Sequence, residues 1–142
     1  MRPRRLELQE LIRVLVEEHG RVKALLTRLN GLLQEGRYGE AAEELVNFKP
    51  YLDQHIIDEE ASILKLLLEE YGRMGAERAV KVFQEHREIH RLISEMQSLA
   101  SSSPERLAEL RDGLRDMLER HFRAEEGEIF PWALETYRKR CR

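Results

Sequence analysis

An all-α, up-down-up-down antiparallel four-helix bundle with a short C-terminal helical extension is the fold this sequence predicts, on three observations. Apolar residues recur at steps of three and four over four long stretches. Short connections rich in glycine or serine separate those stretches. Charged residues make up 36% of the chain and aromatic residues 6%, a mix that suits long, solvent-bathed helices better than a β-sandwich. The 142 residues fit one domain, 1–142, large enough to bury a core without staples.

Residues 1–5 read as a short basic tail. The first helix is expected over about 6–35, with Leu8, Leu11, Ile12, Leu15, His19, Val22, Leu26, Leu29 and Leu33 on one stripe. Its histidine falls inside that stripe. A turn follows near Gly36-Arg37-Tyr38-Gly39. The second helix, about 40–71, carries Leu45, Phe48, Leu52, His55, Glu59, Ile63 and Leu66. Pro50 removes one backbone bond and is expected to kink this helix before its ligand turn. Gly72 to Gly75 close the hairpin.

The third helix, about 76–100, aligns Ala79, Val82, Phe83, His86, His90, Ile93, Met96 and Ala100. Ser103 is then the expected N-cap and Pro104 the first helical position of the fourth helix. That helix, about 104–128, aligns Leu107, Leu110, Leu114, Met117, Leu118, His121 and Glu125. Pro131 is expected to break or bend it, leaving 131–142 as an extension of a helical turn or two.

The two halves echo each other. His55-Ile56-Ile57-Asp58-Glu59-Glu60 and His121-Phe122-Arg123-Ala124-Glu125-Glu126 share one wording, 66 residues apart. Glu18-His19 and Glu85-His86 repeat at an offset of 67. Two similar helix hairpins would therefore bring matching side chains together.

Residues four apart lie on one face of an α-helix, so His55 with Glu59, and His121 with Glu125, can each offer an imidazole and a carboxylate to one point. That donor set suits iron, zinc, manganese or copper with no thiolate. His19 lies about 17 residues before the first turn and His55 about 19 after it; His86 lies about 16 before the later loop and His121 about 19 after it. At about 1.5 Å per residue, all four reach nearly the same depth. All five histidines of the chain belong to this set.

A lone histidine in an apolar stripe is most often a hydrogen-bonded core residue. Five histidines and two carboxylates at one depth are a different case. Without a metal each would cost on the order of 1–3 kcal/mol for lack of partners. The sum rivals the roughly 5–15 kcal/mol that holds a whole domain together.

Other classes recede. A net charge of −3 makes no case for a nucleic-acid surface. No stretch approaches a membrane span, and no apolar signal core follows the basic N-terminus, so a cytoplasmic protein is expected. The single cysteine, Cys141, reads as an exposed tail thiol, not a ligand.

The pattern resembles the hemerythrin family, also called the HHE cation-binding domain, over nearly the whole chain up to Pro131. The resemblance rests on His19; His55 and Glu59; His86 and His90; and His121 with Glu125 followed by Glu126, Ile129, Phe130 and Pro131. It implies two iron ions bridged by an oxo or hydroxo group. One iron would take His86, His90 and His121, the other His19 and His55, with Glu59 and Glu125 bridging. The second iron would then be one ligand short, open to dioxygen or another small ligand. In oxygen-carrying hemerythrins the last acid is an aspartate five residues after its histidine. Here Glu125, at the fourth position, repeats the Glu59 spacing and stays in the stripe, and is preferred over Glu126.

Two divalent ions facing two carboxylates leave about +2, which should attract hydroxide, peroxide or azide. The function expected is therefore binding or sensing of dioxygen or a related ligand such as peroxide, nitric oxide or azide, more a binding protein than an enzyme. Three alternatives use the same residues: an enzyme acting on peroxide or nitric oxide, delivery of iron for repair, or a zinc or other cation site. A sensor would need an unidentified protein partner, and a homodimer through one helix face is compatible with the pattern. Lys23, the repeat partner of His90, and Tyr51, one turn before His55, are candidates for the surroundings of the centre.

Overall fold

The computed structural model describes residues 2–140, with Ser101 described by its backbone alone. Cys141, expected to be an exposed tail thiol, lies outside the described residues. Helices account for nearly all of them, and no strand occurs among them. Helix α1 spans Leu8–Gln34. Helix α2, Tyr38–Asp58, continues through a π turn, Glu59–Leu64, into α3, Lys65–Gly75. Helix α4 spans Glu77–Ser102. A single 3-10 turn, Pro104–Arg106, leads into α5, Leu107–Ala124, which continues through a second π turn, Glu125–Ile129, into α6, Phe130–Arg140. The chain thus forms four helical runs in a bundle. Helix α1 packs on α2 and α5, and α4 packs on the same two.

The connections follow from local chemistry. Gly36 adopts φ 72°, a left-handed conformation open to glycine, and ends α1. The Arg37 N–H then donates to the Leu32 carbonyl at 2.9 Å and the Gly36 N–H to that of Leu33 at 3.1 Å, the paired bonds of a Schellman closure. Gly72, at φ 70° and ψ 175°, interrupts α3 with a non-helical backbone conformation open to glycine. Ser103 occupies the predicted cap position, but its side chain makes no capping bond; Pro104 does open the next turn.

The two prolines do not act as expected. Helix α2 runs through Pro50 unbroken. Pro50 and Val46, whose carbonyl loses its partner, both lie on the exposed side, where water can take over the bond. Pro131 neither breaks the last run nor ends it: it follows directly on the π turn Glu125–Ile129, and Phe130 before it keeps helical backbone angles (φ −65°, ψ −46°). The irregularity falls instead at the two π turns.

Most stripe positions bury as predicted; His90 gives way to Ile89 on α4, Ala100, Leu110 and Met117 are only partly buried, and residues outside the stripes, among them Glu18, Leu32, Ile56, Leu92 and Phe122, join the buried set. The core has two hydrophobic clusters. One holds Val22, Phe48, Leu52, Ile56, Ile89, Leu118 and Phe122 among others. The second holds Leu11, Leu15, Ile63, Phe83, Ile129 and Phe130. On two runs the switch between clusters falls at a histidine, His19 between Leu15 and Val22 and His86 between Phe83 and Ile89; on the other two it falls at a glutamate, Glu59 between Ile56 and Ile63 and Glu125 between Phe122 and Ile129. A polar layer therefore crosses the bundle. Helix α6 covers one end, burying Phe130, Ala133 and Thr136, with the Tyr71 hydroxyl 2.9 Å from Thr136 Oγ1.

Residues 2–7 are not a free tail. Arg4 lies against the bundle, its backbone N–H donating to Asp58 Oδ1 at 2.8 Å and its guanidinium to Asp58 at 2.6 Å and to Glu18 at 2.9 and 3.0 Å. The sequence suggested no partner for it because the buried Asp58 that holds it is 54 residues away.

Candidate metal centre

Four runs each send one histidine into the polar layer, and two add a glutamate. His19 comes from α1, His55 from α2, His86 from α4 and His121 from α5. Glu59 and Glu125 are the first residues of the two π turns. All six are at most 3% exposed. They form two groups whose candidate ligand atoms lie within 4.8 Å of one another: His19, His55, Glu59 and Glu125; and Glu59, His86, His121 and Glu125. The two carboxylates belong to both groups.

The imidazoles converge. His19 Nε2 and His55 Nε2 are 3.1 Å apart. Glu125 meets His19 Nε2 at 3.2 Å and His121 Nε2 at 3.4 Å. Glu59 touches His55 Nε2 and lies 3.6 Å from His86 Nε2. Aromatic rings brace the layer: Phe122 stacks on His19 at 3.8 Å and Phe83 on His86 at 5.1 Å.

Three of the four imidazoles have a carboxylate within hydrogen-bond distance of the far nitrogen, while His19 Nδ1 has no hydrogen-bond partner. Glu18 lies 3.0 Å from His55 Nδ1, Glu60 2.9 Å from His86 Nδ1, and Glu85 2.9 Å from His121 Nδ1. Glu126 stands 3.6 Å from His19 Nδ1. A carboxylate there favours the proton on Nδ1 and leaves the Nε2 lone pair facing inward, the arrangement of a carboxylate–histidine–metal unit. Glu18, Glu60 and Glu85 were not recognised as functional from sequence, and Glu126 was weighed only as an alternative to Glu125. The signal was present: Glu18 and Glu85 each precede a histidine, and Glu60 and Glu126 each follow an inner glutamate, at the repeat offsets.

Electrostatics disfavour this layer without a cation. Both oxygens of Glu59, both of Glu125 and His86 Nε2 are buried yet make no hydrogen bond of regular geometry. Burial, with His55 beside it, pushes His19 down to about 3. Burial also lowers His121, helped by His86. His55 goes the other way: burial opposes its charge, but Glu59 and Glu18 outweigh burial and raise it to about 9. Glu59 likewise overcomes burial and is held well below the usual carboxylate range by His55 and His86. Part of the layer has borrowed protons to balance two buried carboxylates. A metal pair would replace those protons with a charge that all six inward side chains can share.

The predicted residues are not all brought together. His90 lies outside both groups, its side chain 39% exposed and its Nδ1 3.4 Å from Asp53 Oδ1. On α4, His86 and Ile89 take the inner face, so the residue after Ile89 turns to the side. The layer holds two matched pairs of histidines, with His90 on the flank of α4 one turn from His86. Glu125 is inside, whereas Glu126 is 35% exposed. Lys23 is exposed and lines an outer cleft with Arg123 and Glu126. Tyr51 packs against the hydrophobic cluster that includes Phe48 and Leu52.

The hemerythrin HHE cation binding domain matches residues 10–133, which contain all six inward residues. The chain belongs to the hemerythrin HHE cation-binding family. No significant match to a curated protein or to a solved structure was found. Family membership and the two His/Glu groups agree on a cation-binding domain, with a candidate centre in the polar layer.

Proposed function

We propose that this chain is an up-down-up-down bundle holding two iron ions, and that it binds or senses dioxygen or a related small ligand there. The observation that carries the reading is the pair of four-residue groups sharing Glu59 and Glu125. One position would use His19 and His55, the other His86 and His121, with both glutamates bridging. Bound iron would supply the ligand-binding and redox chemistry. The chain's part is to hold the pair between two apolar clusters that keep bulk water out, and to orient each imidazole through Glu18, Glu60, Glu85 and Glu126.

Charge supports a small anionic or polar ligand. Two divalent ions, four neutral imidazoles and two carboxylates leave about +2 in a buried layer. A histidine-rich donor set is also less electron-rich than the carboxylate-rich sites of ferritin-like bundles, which favours reversible binding over strong oxidation.

The test is metal content and near-UV/visible absorption of aerobically purified protein, followed by azide titration. Two irons per chain with charge-transfer bands that shift on azide addition would support the reading. A colourless protein carrying zinc would overturn it. Zinc is the specific second reading, since two imidazoles and two carboxylates around one point also satisfy a four-coordinate zinc ion.

A further inference from the structure

Glu18 is held on two sides. Its Oε1 lies 3.0 Å from His55 Nδ1, and Arg4 Nη2 donates to both of its oxygens, at 2.9 and 3.0 Å. Arg4 is fixed in turn by Asp58: its backbone N–H donates to Oδ1 at 2.8 Å and its Nε to Oδ2 at 2.6 Å. Gln54 Nε2 ties down the same stretch, donating to Asp58 Oδ1 at 2.9 Å and to the Arg2 carbonyl at 2.8 Å. Polar contacts thus run unbroken from Asp58 through Arg4 and Glu18 to His55, whose Nε2 touches Glu59.

Asp58 belongs to neither inner group, yet it is fully buried. A buried carboxylate needs partners, and an apolar residue of similar size would pack there more favourably. Among the described residues its partners are Arg4 and Gln54. The internal repeat shows that the bundle does not require an acid at this position, because Asp58 corresponds to Ala124. The other half also lacks the clamp. Glu85, the counterpart of Glu18, has a side chain 31% exposed and stands 3.9 Å from Arg120 Nη2. What Asp58 does in the first half is hold Arg4 in place. A planar guanidinium gripped on one edge can fix a carboxylate at the other, and a lysine ammonium cannot span the two. An imidazole whose Nδ1 partner is fixed keeps its tautomer and ring plane, so Nε2 is aimed before a cation arrives.

We propose that Arg4 is a positioning residue of the metal centre: held by Asp58, it clamps Glu18 so that the His55 imidazole is set for a cation at the position shared with His19. The proposal rests on the inner groups binding metal. It gives the stretch that precedes α1 a part in the centre, and it confines that part to one half of the bundle.

The experiment loads metal-free protein with cobalt(II) and reads two quantities. Competition with a chelator gives the affinity. Proton NMR gives the strongly shifted, exchangeable Nδ1–H resonances of the cobalt-bound histidines. Wild type is compared with R4A, E18Q, the double variant, and R120A as the control in the other half. R4A should lower the affinity for one cobalt ion by about tenfold, the low end of what losing an outer partner costs. In the E18Q background R4A should lower it no further, because the effect runs through Glu18. The resonance displaced in E18Q should also be displaced in R4A, with the others at wild-type positions, and R120A should change neither quantity. Should R4A fail to fold, R4K takes its place, since it leaves a cation beside Asp58 without the reach to Glu18. Wild-type affinity in R4A would overturn the proposal. So would an undiminished loss in the double variant or an equal displacement of every histidine resonance, either of which would make Arg4 a support of the fold alone. If wild type takes up no cobalt, zinc or iron, the metal-centre reading fails and this proposal with it, a result distinct from a protein that binds cobalt and is indifferent to Arg4.

Discussion

Glu59 and Glu125 each open a π turn, and each faces an imidazole from both halves of the chain. The backbone widens at the residues that would be shared. A π turn spreads the extra residue over five positions, and such turns concentrate at functional sites. Here the extra residue follows the histidine–glutamate pair, so His55 with Glu59 and His121 with Glu125 keep their one-turn spacing while Ile63 and Ile129 return to the core.

Sharing predicts a non-additive loss of metal. Removing His55 or His121 should lower affinity chiefly at one position. Replacing Glu59 or Glu125 by alanine should disturb both. Metal content of H55A, H121A, E59A and E125A, purified alike, checks this: about one ion remaining in the histidine variants, well below one in the glutamate variants.

The three outer acids within hydrogen-bond distance of a histidine predict a weaker, graded effect. E18Q, E60Q and E85Q should each lower metal affinity by about 10–100-fold without removing a direct ligand. Competition with a chelator of known affinity measures it. Effects as large as that of E59A would mean these acids bind the metal themselves.

Metal binding should release protons above neutrality. His55 is raised to about 9, so it is still charged at pH 7.5 in the metal-free protein; His86 is also raised, Glu59 and Glu60 outweighing burial. Each must lose its proton to bind. Weakly buffered protein mixed with zinc should therefore acidify the solution by about one to two protons per chain. Without metal, the raised His55 contributes stability that is complete below about pH 6.5 and lost as pH rises through about 9. His19, depressed to about 3, has the opposite sign: its contribution is present above 6.5 and falls as the solution is acidified. Thermal unfolding of metal-free protein across pH 5–10 reads both, and H55A should flatten the alkaline limb.

Phe122 is fully buried and stacked on His19, so it serves the core and the layer at once. F122A should cost about 3–5 kcal/mol by cavity formation. R4A should cost on the order of 2 kcal/mol, because Asp58 is fully buried and would lose its charged partner. Urea unfolding of the metal-free forms gives both values.

Much of this was legible in the chain itself. The stripes named most core positions, because period-3.6 burial is local, but they missed flanking ones such as Ala41, Ile56, Leu67, Leu92 and Phe122. The inner histidines and glutamates followed from spacing within a helix and depth across turns. His90 lies on the flank of α4 beside Asp53, because Ile89 next to it takes the inner face. The π turns left no sequence signal that propensity could catch. Arg4 with Asp58 and Glu18 was invisible for another reason: an ion pair across 54 positions depends on the tertiary arrangement alone.

The polar layer that divides the two hydrophobic clusters also bears on how the molecule comes apart. Apolar contact is interrupted at the level of His19, His55, His86 and His121, so an unloaded chain has a seam across its middle. Charge sharing around bound cations would weld that seam. Hydrogen exchange of the metal-free protein should then show two blocks of amides opening with different free energies, merging into one cooperative unit when metal is added.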